Sequence, residues 1–137
     1  MMADPLSTTL RQLVFDRANG RCEYCLLAQS VSAHKHEPDH IIPRQHDGET
    51  TAGNLALACA RCNRYKGYNV GSYDPESGEL VPFYNPRRQE WSDHFRLEGA
   101  SIAPLTPEGR VTAKMLHFND ANRIEERERL MAVDLYP

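Results

Sequence analysis

The apolar positions of this chain come in short bursts, and their period shifts from helical to extended and back. Leu6, Leu10, Leu13, Val14 and Phe15 recur at roughly helical spacing. They predict a helix over residues 7–19. Ser7, Thr8 and Thr9 offer N-caps, Thr9 and Gln12 stand at capping-box distance, and Asn19-Gly20 supplies a left-handed stop. Residues 26–35 read as a loop and Asp39–Ile42 as a short strand stopped by Pro43. After a polar loop over 44–53, Asn54–Ala58 is an apolar run of strand length. Cys59–Lys66 reads as a helix closed by Gly67. The order over this stretch is strand, loop, strand, helix.

Beyond Gly67 the texture changes. Asp74–Gly78 is a turn sequence, and residues 80–86 are extended and proline-punctuated. Residues 95–97 and 100–102, joined through Glu98-Gly99, predict a hairpin. Thr106-Pro107 opens a helix to about Phe118, with Val111, Met115 and Phe118 on one face. A last helix over about 120–135 places Ile124, Leu130, Met131 and Leu135 near one side. Its Arg123, Glu126, Arg127, Glu128 and Arg129 read as a solvated face with i,i+4 pairing. Trp91 reads as part of a satellite core under the proline-rich loop.

A chain of 137 residues is expected to form one domain, 1–137. No run of 18 apolar residues is present, so no transmembrane helix is expected. The first ten residues lack the basic and apolar regions of a leader. A cytoplasmic location without a membrane partner is therefore the expectation. The formal charge of −3 argues against a broad electrostatic footprint on nucleic acid. Any such contact must be local, with Arg44, Arg61, Arg64 and Lys66 as candidates near the central stretch and Arg87-Arg88 beyond it.

In a cytoplasmic chain, four cysteines in two close pairs read as metal ligands. Cys22, Cys25, Cys59 and Cys62 form two Cys-x-x-Cys knuckles separated by 33 residues. Two such knuckles suit a tetrahedral site with four sulfurs, which has no open position and is structural, zinc being the expected ion. Four unrelated buried thiols and an iron–sulfur cluster are the alternatives.

Asp39 and His40 are adjacent, and neighbours on a strand point to opposite faces. They can share a site only at a strand end or bulge. Asn54 precedes the second strand, and Asn63 falls in the first turn of the helix. A carboxylate and an amide oxygen are hard ligands suited to a partly hydrated Mg²⁺-like ion. A neutral imidazole beside it can take a proton from water. The chemistry these residues suit is metal-assisted hydrolysis of a phosphodiester. His36 could add a ligand or a phosphate contact, or be an ordinary loop histidine. His46 could reach substrate across the loop, whereas His34, His94 and His117 read as structural or exposed.

Asp39-His40-Ile41-Ile42-Pro43, Asn54-Leu55 and Cys59-x-x-Cys62-Asn63-Arg64-x-Lys66-Gly67 resemble the HNH endonuclease family of ββα-metal, or His-Me finger, nucleases. The resemblance covers about residues 20–67, and residues 80–94 look like the extension of small stand-alone bacterial members. It implies an α+β fold: a zinc-stapled ββα core with an N-terminal helix and a hairpin-plus-helices extension over 68–137. It implies His40 as general base, Asp39 and Asn63 as ligands of Mg²⁺ or Mn²⁺, and Asn54 as the residue that braces the loop. Asn63 in the third signature position makes this the HNN variant. DNA is the implied substrate, with RNA left open, and Arg61, Arg64 and Lys66 are candidate phosphate contacts. The rival reading is a non-catalytic zinc-dependent module that binds nucleic acid or protein.

Overall fold

A computed structural model describes residues 6–137; residues 1–5 lie outside the described residues. Helix α1 (Thr8–Arg17) starts at Ser7, whose hydroxyl accepts from the Leu10 amide at 3.1 Å. Thr9 is thus inside the helix, and the Thr9–Gln12 capping box does not form. Gln12 instead donates to Asp16 one turn on. The stop is as the sequence suggests: Asn19 and Gly20 both take positive φ, and the Gly20 amide closes onto Phe15 O at 3.0 Å.

The central unit is two antiparallel strands and a helix. Strand β1 (Glu37–His40) pairs with β2 (Leu55–Ala58), with His40 opposite Leu55 and Asp39 opposite Ala56. The first strand lies two residues upstream of the expected one, because Ile41 and Ile42 already belong to the turn into the loop. Side chains of β2 alternate between two clusters, as the pleat requires. Leu55 and Leu57 pack with Val14 under α1, while Ala56 and Ala58 join the larger core. Leu13, read as part of the α1 stripe, is exposed. Helix α2 (Ala60–Lys66) follows β2 directly, with the Cys59 sulfur accepting at its N-terminus and Gly67 ending it.

The extension adds two more ribbons and three helices. Strands β3 (Gly71–Tyr73) and β4 (Leu80–Pro82) form a hairpin around the 74–78 turn. In the sequence, β3 is hidden by its brevity. The turn is fixed by Asp74, which is buried and receives a bidentate pair of bonds from Arg110 at 2.8 and 2.9 Å. Those bonds hold the Asp74 carboxyl well below the usual carboxylate range. Helix α3 (Trp91–His94) leads into the expected hairpin of β5 (Phe95–Glu98) and β6 (Ser101–Pro104). Helix α4 (Pro107–Met115) is capped by Thr106 as expected. It ends three residues early, where the chain turns through a positive φ at His117. Helix α5 (Ala121–Met131) completes the chain. The fold is α+β, and among the described residues its strands form three separate two-stranded sheets. No described helix is long and apolar enough to cross a membrane.

One hydrophobic cluster runs from the first knuckle through β2 into the extension. It gathers Tyr24, Ala56, Phe83, Phe95, Ile102, Leu116 and Phe118. Trp91 packs against this main cluster, not a satellite, and its indole N–H donates to Tyr24 O at 2.8 Å.

Helix α5 departs furthest from expectation. Arg123 and Arg127, one turn apart, are each only 3% exposed. They face inward because each guanidinium is consumed by buried carbonyls: Arg127 bonds Ala100 O and Phe118 O at 2.6 Å, and Arg123 bonds Leu116 O at 2.7 Å. A buried guanidinium is tolerated when its donors are matched in this way. Leu135, placed on the apolar side by its spacing, is exposed.

Candidate functional site

The two Cys-x-x-Cys knuckles converge. The sulfurs of Cys22, Cys25, Cys59 and Cys62 lie within 4.8 Å of one another, all four residues are buried, and none is in a disulfide. Amide-to-sulfur contacts of 3.4 Å, Cys25 N to Cys22 Sγ and Cys62 N to Cys59 Sγ, shape each knuckle. The four residues are positioned to bind a metal ion, consistent with a structural zinc, and four thiolates leave no position for substrate.

Four thiolates around Zn²⁺ carry a net charge of −2, which burial would penalise. The chain supplies a counter-charge that sequence reasoning missed. Arg123 Nη2 lies 3.4 Å from Cys62 Sγ and 3.9 Å from Cys59 Sγ. Burial by itself would lower the Arg123 pKa; the sulfur charges of Cys62 and Cys25 outweigh it and raise it. Tyr136, near the end of the chain, donates to Cys25 O at 2.6 Å. His36, one candidate for a further metal ligand, is instead buried behind the first knuckle with Nε2 2.8 Å from Leu27 O.

On the other side of α2 lies an open groove of about 470 Å³, lined by Asp39, His40, Arg44, Asn63, Arg64 and Tyr68 among others. Asp39 and His40 share it because β1 ends at His40, so strict alternation no longer applies. Asp39 is 6% exposed and its Oδ2 receives Lys66 Nζ and the Tyr24 hydroxyl, each at 3.1 Å. Burial raises the Asp39 pKa, opposed chiefly by the Lys66 charge. Burial likewise pushes the Tyr24 phenol up, which keeps its proton available for this bond. No bond engages Asp39 Oδ1 among the described residues. One carboxylate oxygen is therefore committed to the protein, and Asn63 lines the same groove.

His40 is half-buried, with Nε2 2.8 Å from the Thr50 hydroxyl. Thr50 ends a loop whose path is fixed by Asn54. The Asn54 amide oxygen accepts from Ile42 N at 2.9 Å, and its nitrogen donates to Ile42 O and Glu49 O at 3.0 and 2.8 Å. Within that loop only glycine fits at position 48, where a Cβ would sit 1.6 Å from Ile42 O. Tyr24 and Thr50 carried no signal in the sequence, since their partners are set by the fold.

One of the candidate phosphate contacts is corrected, and a second lies outside the groove. Lys66 is 1% exposed; besides Asp39 it donates to His40 O at 2.9 Å and Ile41 O at 3.3 Å. It is a buried clamp on the end of β1, out of reach of a phosphate. Arg61 does not line the groove and pairs with Glu126 at 3.2 Å. Arg44 and Arg64 are exposed in the groove. Arg87 pairs with Glu23, whose other oxygen accepts from Leu57 N, so it ties the extension to the first knuckle. His46 is exposed and lies in a neighbouring depression with Lys66 and Phe83.

Strand, pinned loop, strand and helix surround one groove and are stapled by four thiols, an arrangement consistent with an HNH core. Residues 22–69 match the family model for HNH endonuclease, a match that supports a nuclease-like role for this region. Over 117 residues the chain is 23% identical to Septu protein PtuB of Bacillus thuringiensis, covering 84% of this chain and 43% of that protein. Over 52 residues it is 42% identical to the CRISPR-associated endonuclease Cas9 of Corynebacterium diphtheriae, covering 37% of this chain and 5% of that protein. The chain thus spans less than half the length of either relative. No solved structure matches it significantly.

Proposed function

We propose that the groove hydrolyses DNA phosphodiester bonds, one strand per site, with His40 as general base. The observation that carries this reading is the meeting of Asp39, His40 and Asn63 in one open groove, separated by α2 from a closed cysteine site. His40 takes a proton from the attacking water, whose oxygen forms the new bond to phosphorus. The bond to the 3′ oxygen breaks and the departing oxygen takes a proton from solvent water, leaving a 5′-phosphate and a 3′-hydroxyl. Mg²⁺ or Mn²⁺, held by Asp39 Oδ1 and the Asn63 amide oxygen, would stabilise charge on the phosphate and the departing oxygen. Thr50 fixes the ring of His40, Asn54 fixes the loop that carries Thr50, and Lys66 holds the backbone at His40 from below. Arg44 and Arg64 contact flanking phosphates, which positions the strand without reading its sequence.

The test is nicking of supercoiled plasmid with Mg²⁺ or Mn²⁺. His40→Ala is expected to lower the rate by roughly a hundredfold or more, the usual size of a general-base contribution. Equal rates would remove His40 from that role. No nicking by folded, zinc-loaded wild type would favour a non-catalytic module.

A further inference from the structure

Tyr68 is, besides His40, the aromatic residue that lines the groove, and hydrolysis does not use it. Gly67 ends α2 with a positive φ, and the next side chain emerges at the groove wall 72% exposed. A lone exposed aromatic needs no explanation on most surfaces. This one borders the same groove as His40 and Asn63. The cations available there are few: Arg44 and Arg64 line the groove, whereas Lys66 and Arg61 are taken by Asp39 and Glu126. Arg64 itself lies over the Tyr65 ring at 5.2 Å, and Tyr65 stacks on His117 with centroids 4.2 Å apart. Among the residues that line the groove, Tyr68 adds an exposed phenol ring beside the cations Arg44 and Arg64.

Regular duplex binding is driven mainly by many phosphate contacts. Two groove cations on a chain of charge −3 give little of that. An exposed ring beside a sparse cationic groove suits a different ligand, a base whose face is open. Such faces exist only where the base is unpaired, since in a duplex they are covered by neighbours. Stacking on an aromatic ring is tolerant of base identity and strong enough to replace missing phosphate contacts.

We propose that Tyr68 stacks on an unpaired nucleobase next to the phosphate in the groove, so that the preferred substrate is DNA with an unpaired nucleotide at the cut site. This rests on the nuclease reading for the cleavage step, but the stacking itself can be measured without cleavage.

The probe is a DNA duplex with a single unpaired 2-aminopurine, titrated with zinc-loaded protein in Ca²⁺ buffer. Wild type is expected to quench its fluorescence and to bind it more tightly than the fully paired duplex. Tyr68→Ala should abolish the quench and weaken binding about tenfold, and Tyr68→Phe should keep both. Tyr73→Ala is the control, since Tyr73 is 65% exposed but does not line the groove. The salt dependence should be shallow, a log–log slope of about −1 to −2 for two phosphate contacts. Equal affinity for the paired and unpaired probes, or a Tyr68→Ala variant that quenches like wild type, would overturn the proposal. A steep slope of about −4 or beyond would overturn it too, by assigning binding to a backbone footprint. A quench that depends on Tyr68 in a protein that, with Mg²⁺ or Mn²⁺, cuts neither plasmid nor the duplex with the unpaired nucleotide would sink the nuclease reading and leave the stacking site standing. Plasmid nicking without such a quench would do the reverse.

Discussion

Helix α2 separates two sites built from adjacent residues. Cys62 faces a closed, buried cluster of thiols, and Asn63, the next residue, lines an open groove. Both sites hold buried charge, and they balance it differently. The thiolate side takes its counter-charge from far away in sequence, through Arg123 on α5. The groove side takes it locally, through Lys66 on the same helix as Asn63. The closed site has every sulfur turned inward and gives rigidity. The open one leaves a carboxylate oxygen, an amide and an imidazole at the surface, where chemistry can happen.

The largest expected effect comes from opening the closed side. Structural zinc sites contribute on the order of 10–16 kcal/mol of apparent folding free energy in small domains, comparable with or above the whole net stability of a typical domain. Cys62→Ser should therefore lose bound zinc and cooperative thermal unfolding together, and the groove with them. Zinc content by elemental analysis and a circular-dichroism melt report this. A variant with full zinc and an unchanged melt would contradict the four-cysteine site.

Next in size is Lys66→Met, which attacks the groove from below while leaving the thiols alone. Removing one partner of a buried ion pair strands the other, at a cost of about 3–5 kcal/mol. Asp39 would be left buried without its cation, and the carbonyls of His40 and Ile41 without their donor. Urea denaturation should show the loss, with zinc content unchanged. Adding Asp39→Asn should recover much of it, because the stranded charge is then gone. If the double variant is as unstable as the sum of the singles, the two residues are not energetically coupled and the proposed clamp is wrong.

These two sites were not equally legible in the sequence. Cysteine knuckles are visible because metal ligands come in short, fixed spacings, and the Asp39-His40, Asn54 and Asn63 order marks the groove. The helices opened by Ser7 and Thr106 and the Gly99 hairpin could be read because caps and turns are local. What stayed hidden is every charge whose partner is distant. Lys66 looked like a surface cation because nothing in the sequence shows that Asp39 lies against it. Arg123 and Arg127 looked like a solvated stripe because Glu125 and Glu126 lie between them and Glu128 and Arg129 follow. Their carbonyl and sulfur partners belong to other elements. Strand β3 was missed because three residues carry too little period to read.

The smallest of the effects is also the one that most cleanly separates the two sides of α2. Arg123 touches no groove residue. It bonds Cys62 and approaches Cys59 through sulfur, and its other nitrogen is held by Leu116 O. Outer partners of metal ligands typically contribute 10–100-fold in metal affinity. Arg123→Met keeps an unbranched apolar stem and removes the charge, so the thiolate cluster must sit in the core unbalanced. Zinc should then pass to a competing chelator at roughly 10–100-fold lower chelator concentration. The plasmid-nicking rate of the fully loaded protein should stay where it was. Arg123→Lys discriminates the cause. An ammonium carries the charge but lacks the planar fork that reaches sulfur and carbonyl together. Recovery in the lysine variant would assign the effect to charge, and continued loss would assign it to the fork. Unchanged zinc retention in Arg123→Met would mean that the extension contacts the zinc site without stabilising it, and the contrast between a distant and a local counter-charge would fail.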